Sequence, residues 1–252
     1  MSNPLTMKLE QYTRFSIAER ARLDALAAHP TQTFAAGQVI LSEGQKAESI
    51  HLVLNGFALR SKTLWDGSRQ ILAFLIPGDL CDIEVFVLQG MDHDIVAMER
   101  TICTLIPIGE MERLLSEYST LTRALWWSTM TDSAVLRSRI IGQGRRDARE
   151  RMAHIFYEVL IRYRMIGQGA GDGYSFPLTQ QDLADATGMT PIHANRTLQQ
   201  LRSEGLVEFA IGRLRVLDAD GLKQAARFES NYLHLDRTER DADVSGRAGD
   251  LA

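Results

Sequence analysis

Residues 178–208 read LTQQDLADATGMTPIHANRTLQQLRSEGLVE, and their spacing predicts two short helices joined by a glycine turn. Thr179 sits three residues before Asp182, the pattern of a capping box at a helix start. Leu183 and Ala186 face inward, and small Ala184 permits a close helix crossing. Gly188 falls where the chain must turn and a left-handed residue is cheapest. Thr190 caps the second helix, and Pro191 takes its first position, where a missing N–H costs nothing. Ala194, Leu198 and Leu201 recur at helical spacing. From Met189 to Ser203 there are two Arg and no acid. An αα-hairpin in a helical core would share these caps, so the flanking sequence decides. Gly205 stops the helix, and Leu206–Phe209 and Leu214–Leu217 then flank Ala210-Ile211-Gly212-Arg213, which reads as a β-hairpin wing with Arg213 near its tip. A capped helix pair with a basic second helix and a wing points to a DNA-reading helix-turn-helix.

The 252 residues predict two domains, and the 45% hydrophobic content supplies cores for both. No apolar run reaches the ~18 residues of a membrane span, and the first residues lack a secretory h-region, so a cytoplasmic protein without membrane contact is expected. Cys81 and Cys103 stand 22 apart with no C-x-x-C pair, so buried free thiols are expected rather than a metal site. The net charge of −4 does not exclude nucleic acid, because distribution matters more than the sum. Residues 145–165 hold six Arg against three acids.

Residues 5–28 have helical texture anchored by Phe15, Leu23 and Leu26. From about 33 to 108, short β-rich runs alternate with Gly37, Glu43-Gly44, Asn55-Gly56, Asp66-Gly67 and Pro77-Gly78-Asp79. Ile50, Leu52 and Leu54 alternate, as do Leu72, Phe74 and Ile76, which predicts a β-sandwich or barrel. Glu110–Ile141 contains no Gly or Pro and reads as a long helix with apolar residues on more than one face, one for its own β domain and one for a partner helix. Gly142-Gln143-Gly144 reads as a hinge, residues 145–166 as a basic amphipathic helix, and 167–173 as a flexible loop. From Asp236 the tail is expected to be disordered.

The order of β-roll, long helix, glycine pair and winged helix-turn-helix resembles the Crp–Fnr superfamily of bacterial transcription regulators. The likeness covers roughly residues 10–228. It rests on FAAGQVILSEGQKAESIHLVLNGFALR (34–60), on IPGDL (76–80) and on LTQQDLADATGMTPIHANRTLQQLRSEGL (178–206). It implies an α+β chain: a cyclic-nucleotide-binding-like, jelly-roll-like β-roll over 1–115, a dimerisation helix and hinge over 116–144, a winged helix-turn-helix over 145–235 and a tail over 236–252. It further implies a homodimer on a palindromic double-stranded DNA site, with RNA polymerase as a partner.

By the same resemblance, the base-reading positions fall on Pro191, Ile192, Asn195 and Arg196. An Arg reads guanine through a bidentate pair, whereas Ile192 replaces a Glu and can only pack on a thymine methyl. Thr179, Gln180, Gln181, Thr190, His193, Gln199 and Arg213 form the expected phosphate set. The family's cyclic-nucleotide cassette holds a Glu and an Arg-Ser pair. Those positions fall on Ile83, beside Glu84, and on His93-Asp94, while the helix positions facing the base fall on Leu136 and Arg137. No Arg lies between Arg69 and Arg100, and Asp92 and Asp94 would repel a phosphate, so cyclic nucleotide is not expected in the usual mode.

No cofactor is expected. An iron–sulfur cluster needs about four Cys, and the N-terminal region has none. The haem-ligand candidates His51, His93, Cys81 and Cys103 read as packing or surface residues. An unknown small effector and control by abundance alone both stay open, as does a sensing role for Cys81 or His93. No nucleophile elbow, Walker loop or H-E-x-x-H is present, so an enzyme is not expected. A ligand-binding module without a DNA role is the alternative, and residues 178–217 argue against it.

Overall fold

The computed structural model describes residues 3–86, 88, 90–169, 173–210 and 212–234, with the side chains of Glu84 and Phe86 excepted. Two short helices open the chain, α1 (Pro4–Leu9) and α2 (Ile17–Ala27). The single helical stretch expected over 5–28 is therefore broken. Ser16 accepts from the Glu19 N–H and the Glu19 carboxylate accepts from the Ser16 N–H, so α2 starts on its own capping box.

Seven strands follow: β1 (Thr31–Phe34), β2 (Val39–Leu41), β3 (Ser49–Asn55), β4 (Ala58–Thr63), β5 (Arg69–Leu75), β6 (Asp94–Ala97) and β7 (Thr101–Pro107). They form two antiparallel sheets, ordered β1-β7-β3 and β2-β6-β4-β5. Their inner faces enclose a core that includes Phe34, Leu41, Val53, Ile95 and the buried free thiols Cys81 and Cys103. Strand β3 is buried on both faces, because Ile50 and Leu52 pack outward against α1, α2 and the helices that follow β7. The alternation expected at Leu72, Phe74 and Ile76 breaks at a bulge. Arg60 pairs with Ala73 and Ser61 with Ile71, which leaves Leu72 unpaired and moves Ile71 onto the buried face with Phe74.

Beyond the roll come α3 (Ile108–Glu117), α4 (Ser119–Arg145) and α5 (Ala148–Met165). The long helix is interrupted at Tyr118, whose backbone is extended. It is not interrupted at Gly142 or Gly144, which both lie inside α4. The expected glycine hinge is thus helical, and the break falls at Arg146-Asp147. The physical reason is tertiary. The Arg151 guanidinium donates to the carbonyls of Gly142 (2.8 Å) and Arg146 (3.0 Å), satisfying the last turn of α4 from outside.

The C-terminal unit continues with β8 (Tyr174–Ser175), α6 (Gln180–Thr187), α7 (Pro191–Ser203), β9 (Val207–Ala210), β10 (Arg213–Val216) and α8 (Ala219–Ala225). Strands β9 and β10 form the expected hairpin, and β8 adds a third strand that the sequence did not announce. A shared core joins this unit to the outer face of β4 and β5. Phe57, Phe74 and Phe176 meet with ring centroids 5.6 Å apart, and Phe156 lies 5.4 Å from Phe176. Ala170–Asp172 of the expected loop and the expected tail lie outside the described residues.

Candidate nucleic-acid interface

Helix α6 begins as its sequence dictates. The Thr179 hydroxyl accepts from the Asp182 N–H at 3.1 Å, while Asp182 Oδ2 accepts from the Thr179 N–H at 2.8 Å and from its hydroxyl at 2.6 Å. Gly188 ends the helix at φ +64°, in the left-handed region that glycine enters without a Cβ penalty. Thr190 accepts from the His193 N–H at 3.3 Å, and Pro191 opens α7. Ala194, Thr197, Leu198 and Leu201 bury one face of α7 against the domain core.

The opposite face of α7 is open. Ile192 is 76% exposed, His193, Arg196 and Gln199 are exposed, and Asn195 is half-buried. Arg196 makes no ion pair or hydrogen bond among the described residues. Asn195 Oδ1 accepts from Gln199 Nε2 at 3.4 Å, and Gln199 Oε1 accepts from Arg202 at 3.4 Å. Gln180, Gln181 and Thr190 are exposed at the two helix starts. There, unsatisfied backbone N–H groups and the positive end of the helix dipole favour anions.

Thr179 needs correction as a phosphate donor. Its hydroxyl proton and its N–H both go to Asp182, so it serves the cap. Arg213 opens β10, is exposed, and donates to the Gly173 carbonyl at 3.0 Å. It also lines a cleft of about 500 Å³ between roll and wing, with Asn55, Glu99 and Gln168.

Most arginines of 145–165 are engaged within the fold, while Arg145 and Arg164 are exposed. Arg149 pairs with Glu204, Arg151 holds backbone carbonyls, and Arg162 pairs with Asp79. Most of α5 is buried, which overrides its amphipathic reading.

Within one chain, the effector candidates do not converge. Ile83 packs beside the N-terminal helices. The Glu84 side chain lies outside the described residues. His93 is buried, with Nδ1 2.5 Å from Asp92 Oδ1 and Nε2 without a partner. Asp94 Oδ1 accepts from the Glu43 N–H at 2.8 Å. Leu136 and Arg137 are exposed on α4. None of them lines the 500 Å³ cleft or the smaller cavity of about 20 Å³ between α1, α4 and α5.

Two clusters escaped the sequence reading because their members lie far apart in the chain. Asp79 of the IPGDL stretch accepts from Lys8 (2.8 Å), Arg162 (2.5 Å) and the Ile76 N–H (2.8 Å) while almost fully buried. Burial pushes the Asp79 carboxyl up, but the two cations and the N–H hold it below its ordinary value. Arg69 of β5 grips both acids of α6, Asp182 directly and Asp185 at 2.8 Å through Nε. The only advance signal was the turn composition around Asp79.

This geometry, a winged helix-turn-helix with an open second helix seated against a β-roll, defines a DNA-binding transcription regulator. The description of a cyclic nucleotide-binding domain matches residues 31–118, and that of a Crp-like helix-turn-helix domain matches 150–225. The nitrogen fixation regulation protein FixK of Bradyrhizobium diazoefficiens is 29% identical over 188 residues, covering 73% of this chain and 77% of its own. The transcriptional activator protein FnrL of Cereibacter sphaeroides is 23% identical over 192 residues, covering 75% and 76%. The structure of FixK2 from Bradyrhizobium japonicum superposes with a TM-score of 0.69 at 25% identity, covering 78% of this chain and 96% of that one. The chain belongs to the Crp–Fnr superfamily of regulators.

Proposed function

We propose that the chain works as a homodimer on a palindromic promoter site, with α4 as the pairing seam. The observation that carries this reading is the solvent face of α4. Trp126 is 67% exposed, Met130 49%, Ile140 71% and Ile141 54%. At 100° per residue these four fall within one stripe about 100° wide. Water-facing apolar residues in such a line mark an interaction surface, and a two-fold axis makes the patch self-complementary.

The division of labour is a sensor roll over 1–115, a dimerisation helix over 116–144 and a DNA-binding unit over 145–235. Paired this way, two copies of α7 enter major grooves about one helical turn apart. Arg196 reads a guanine, Ile192 packs on a thymine methyl and Asn195 reads a neighbouring edge. Gln180, Gln181, Thr190, His193, Gln199 and Arg213 contact phosphates and set the register. RNA polymerase is the partner on DNA, and the site of action is the cytoplasm.

The roll does not take cyclic nucleotide in the usual mode. Its cassette positions carry Ile83, His93 and Asp94, and the Asp94 carboxylate already holds a backbone N–H of the neighbouring loop. An unidentified small effector is the open alternative to control by abundance.

Sedimentation of an Ile140→Glu variant tests the seam. Burying a carboxylate there costs several kcal/mol unless it is paired, so the variant is expected to sediment as a monomer and to bind a two-fold site far more weakly. A stable dimer with unchanged affinity would remove α4 from the interface.

A further inference from the structure

Helix α6 carries two acids, Asp182 and Asp185, one turn from the residues assigned to phosphate contact. Carboxylates beside a polyanion weaken binding unless neutralised. Among the described residues, their ion-pair partner comes from the other domain. Arg69 Nη2 donates to Asp182 Oδ1 and Arg69 Nε to Asp185 Oδ2 at 2.8 Å. Both carboxylates are nearly covered, with side-chain exposures of 6% and 11%. Gln70, next on β5, adds a bond from Nε2 to the Asp185 carbonyl at 2.7 Å.

The contact continues to the DNA side. Asp185 Oδ1 accepts from Gln181 Nε2 at 2.7 Å, which leaves that amide one free N–H. Asp182 is the acid of the capping box that shapes the start of α6. One guanidinium on the sensor roll therefore touches both acids of the first reading helix and, through them, its first turn.

We propose that Arg69 is a positioning residue through which the roll sets DNA affinity. With β5 seated on α6, its single positive charge offsets one of the two negative charges of Asp182 and Asp185 beside the DNA backbone; with β5 lifted, both carboxylates repel that backbone unopposed. Arg69 itself touches no nucleic acid. The inference rests on the proposed phosphate role of the α6 N-terminus. It goes beyond that role by making the seat of the roll an electrostatic setting that acts on all sequences alike.

The test is fluorescence anisotropy of the full chain on a labelled duplex of arbitrary sequence, at about 50 mM and about 200 mM salt, where phosphate-driven binding differs most. Arg69→Gln is expected to bind about 3- to 10-fold more weakly at the lower salt, with the gap narrowing at the higher as charges are screened. Asp185→Asn alone is expected to bind at least as tightly as the wild type. Arg69→Gln with Asp185→Asn is expected to recover most of the loss, and Arg69→Lys to stay near the wild type. Weakening by Asp185→Asn equal to that by Arg69→Gln would overturn the proposal, since the pair would then act by geometry and not by charge. Equal binding by all four variants and the wild type would also overturn it, leaving the DNA reading intact. A wild type that binds no duplex at either salt would sink both.

Discussion

Asp79→Asn probes the joint between roll and DNA-binding unit with almost no change in volume. The wild-type carboxylate offers two oxygens. One accepts from Lys8 Nζ, and the other from Arg162 and the Ile76 N–H. Asparagine offers one oxygen and a donating NH2. Turned to keep the Arg162 and Ile76 bonds, it points that NH2 at the Lys8 ammonium, and flipped, it points it at Arg162. Either way a cation is stranded where side-chain exposure is only 10% for Lys8 and 12% for Arg162. Breaking a buried pair by removing one partner costs about 3–5 kcal/mol. At about 2–4 °C per kcal/mol for a chain of this size, the midpoint falls by about 6 °C or more.

Urea titration at neutral pH reads the loss. Adding Lys8→Met to Asp79→Asn removes one stranded charge and is expected to recover part of it. The acid limb follows the same bonds. The Asp79 carboxyl is held below its unfolded value, so its contribution is present above about pH 4 and disappears as pH falls through the folded value. A single variant within about 1 kcal/mol of wild type, when an interaction of about 3–5 kcal/mol is expected, would refute the argument that this buried carboxylate holds the two units together.

Two further outcomes follow from the same geometry. Arg196→Ala is expected to lose about 1–3 kcal/mol on the specific site with little change on nonspecific duplex; an equal loss on both would reduce Arg196 to a phosphate contact. Burial pulls His154, which faces Ser138 and Tyr232, down to about 4 from 6.5. Between those values the unfolded chain takes up a proton that the folded one refuses, so stability falls as pH drops through that window, by about 3 kcal/mol at most. His154→Gln should flatten this segment of the stability–pH curve, and an unchanged slope would assign it to other groups.

The reading unit was legible because its signals are local. The Thr179–Asp182 box, Gly188, Thr190-Pro191 and the apolar spacing of α7 each act within a few residues, and each occurs as expected. The capping box at Ser16 and Glu19 was equally local and would have split the first helical stretch. The glycines at 142 and 144 misled for a different reason. Helix propensity sets a cost of about 1 kcal/mol for each glycine, while Arg151 of α5 donates to the Gly142 carbonyl and Gln143 donates to the Ala186 carbonyl of α6, so the end of α4 is anchored by partners from elsewhere in the fold. The contacts of Lys8, Asp79 and Arg162, and of Arg69 with α6, join residues 71 to 116 positions apart. No periodicity carries such pairs. The effector candidates are not brought together within a single chain, where Leu136 and Arg137 face solvent.

The most direct test of the central claim is selection of bound sequences from random duplex DNA with purified protein and no added ligand. A two-fold dimer reading through α7 should enrich a palindrome whose half-sites lie about one helical turn apart, with a guanine opposite Arg196 and a thymine beside Ile192. Enrichment of a single, non-repeated half-site, or none from folded dimeric protein with or without a library of small effectors, would contradict it.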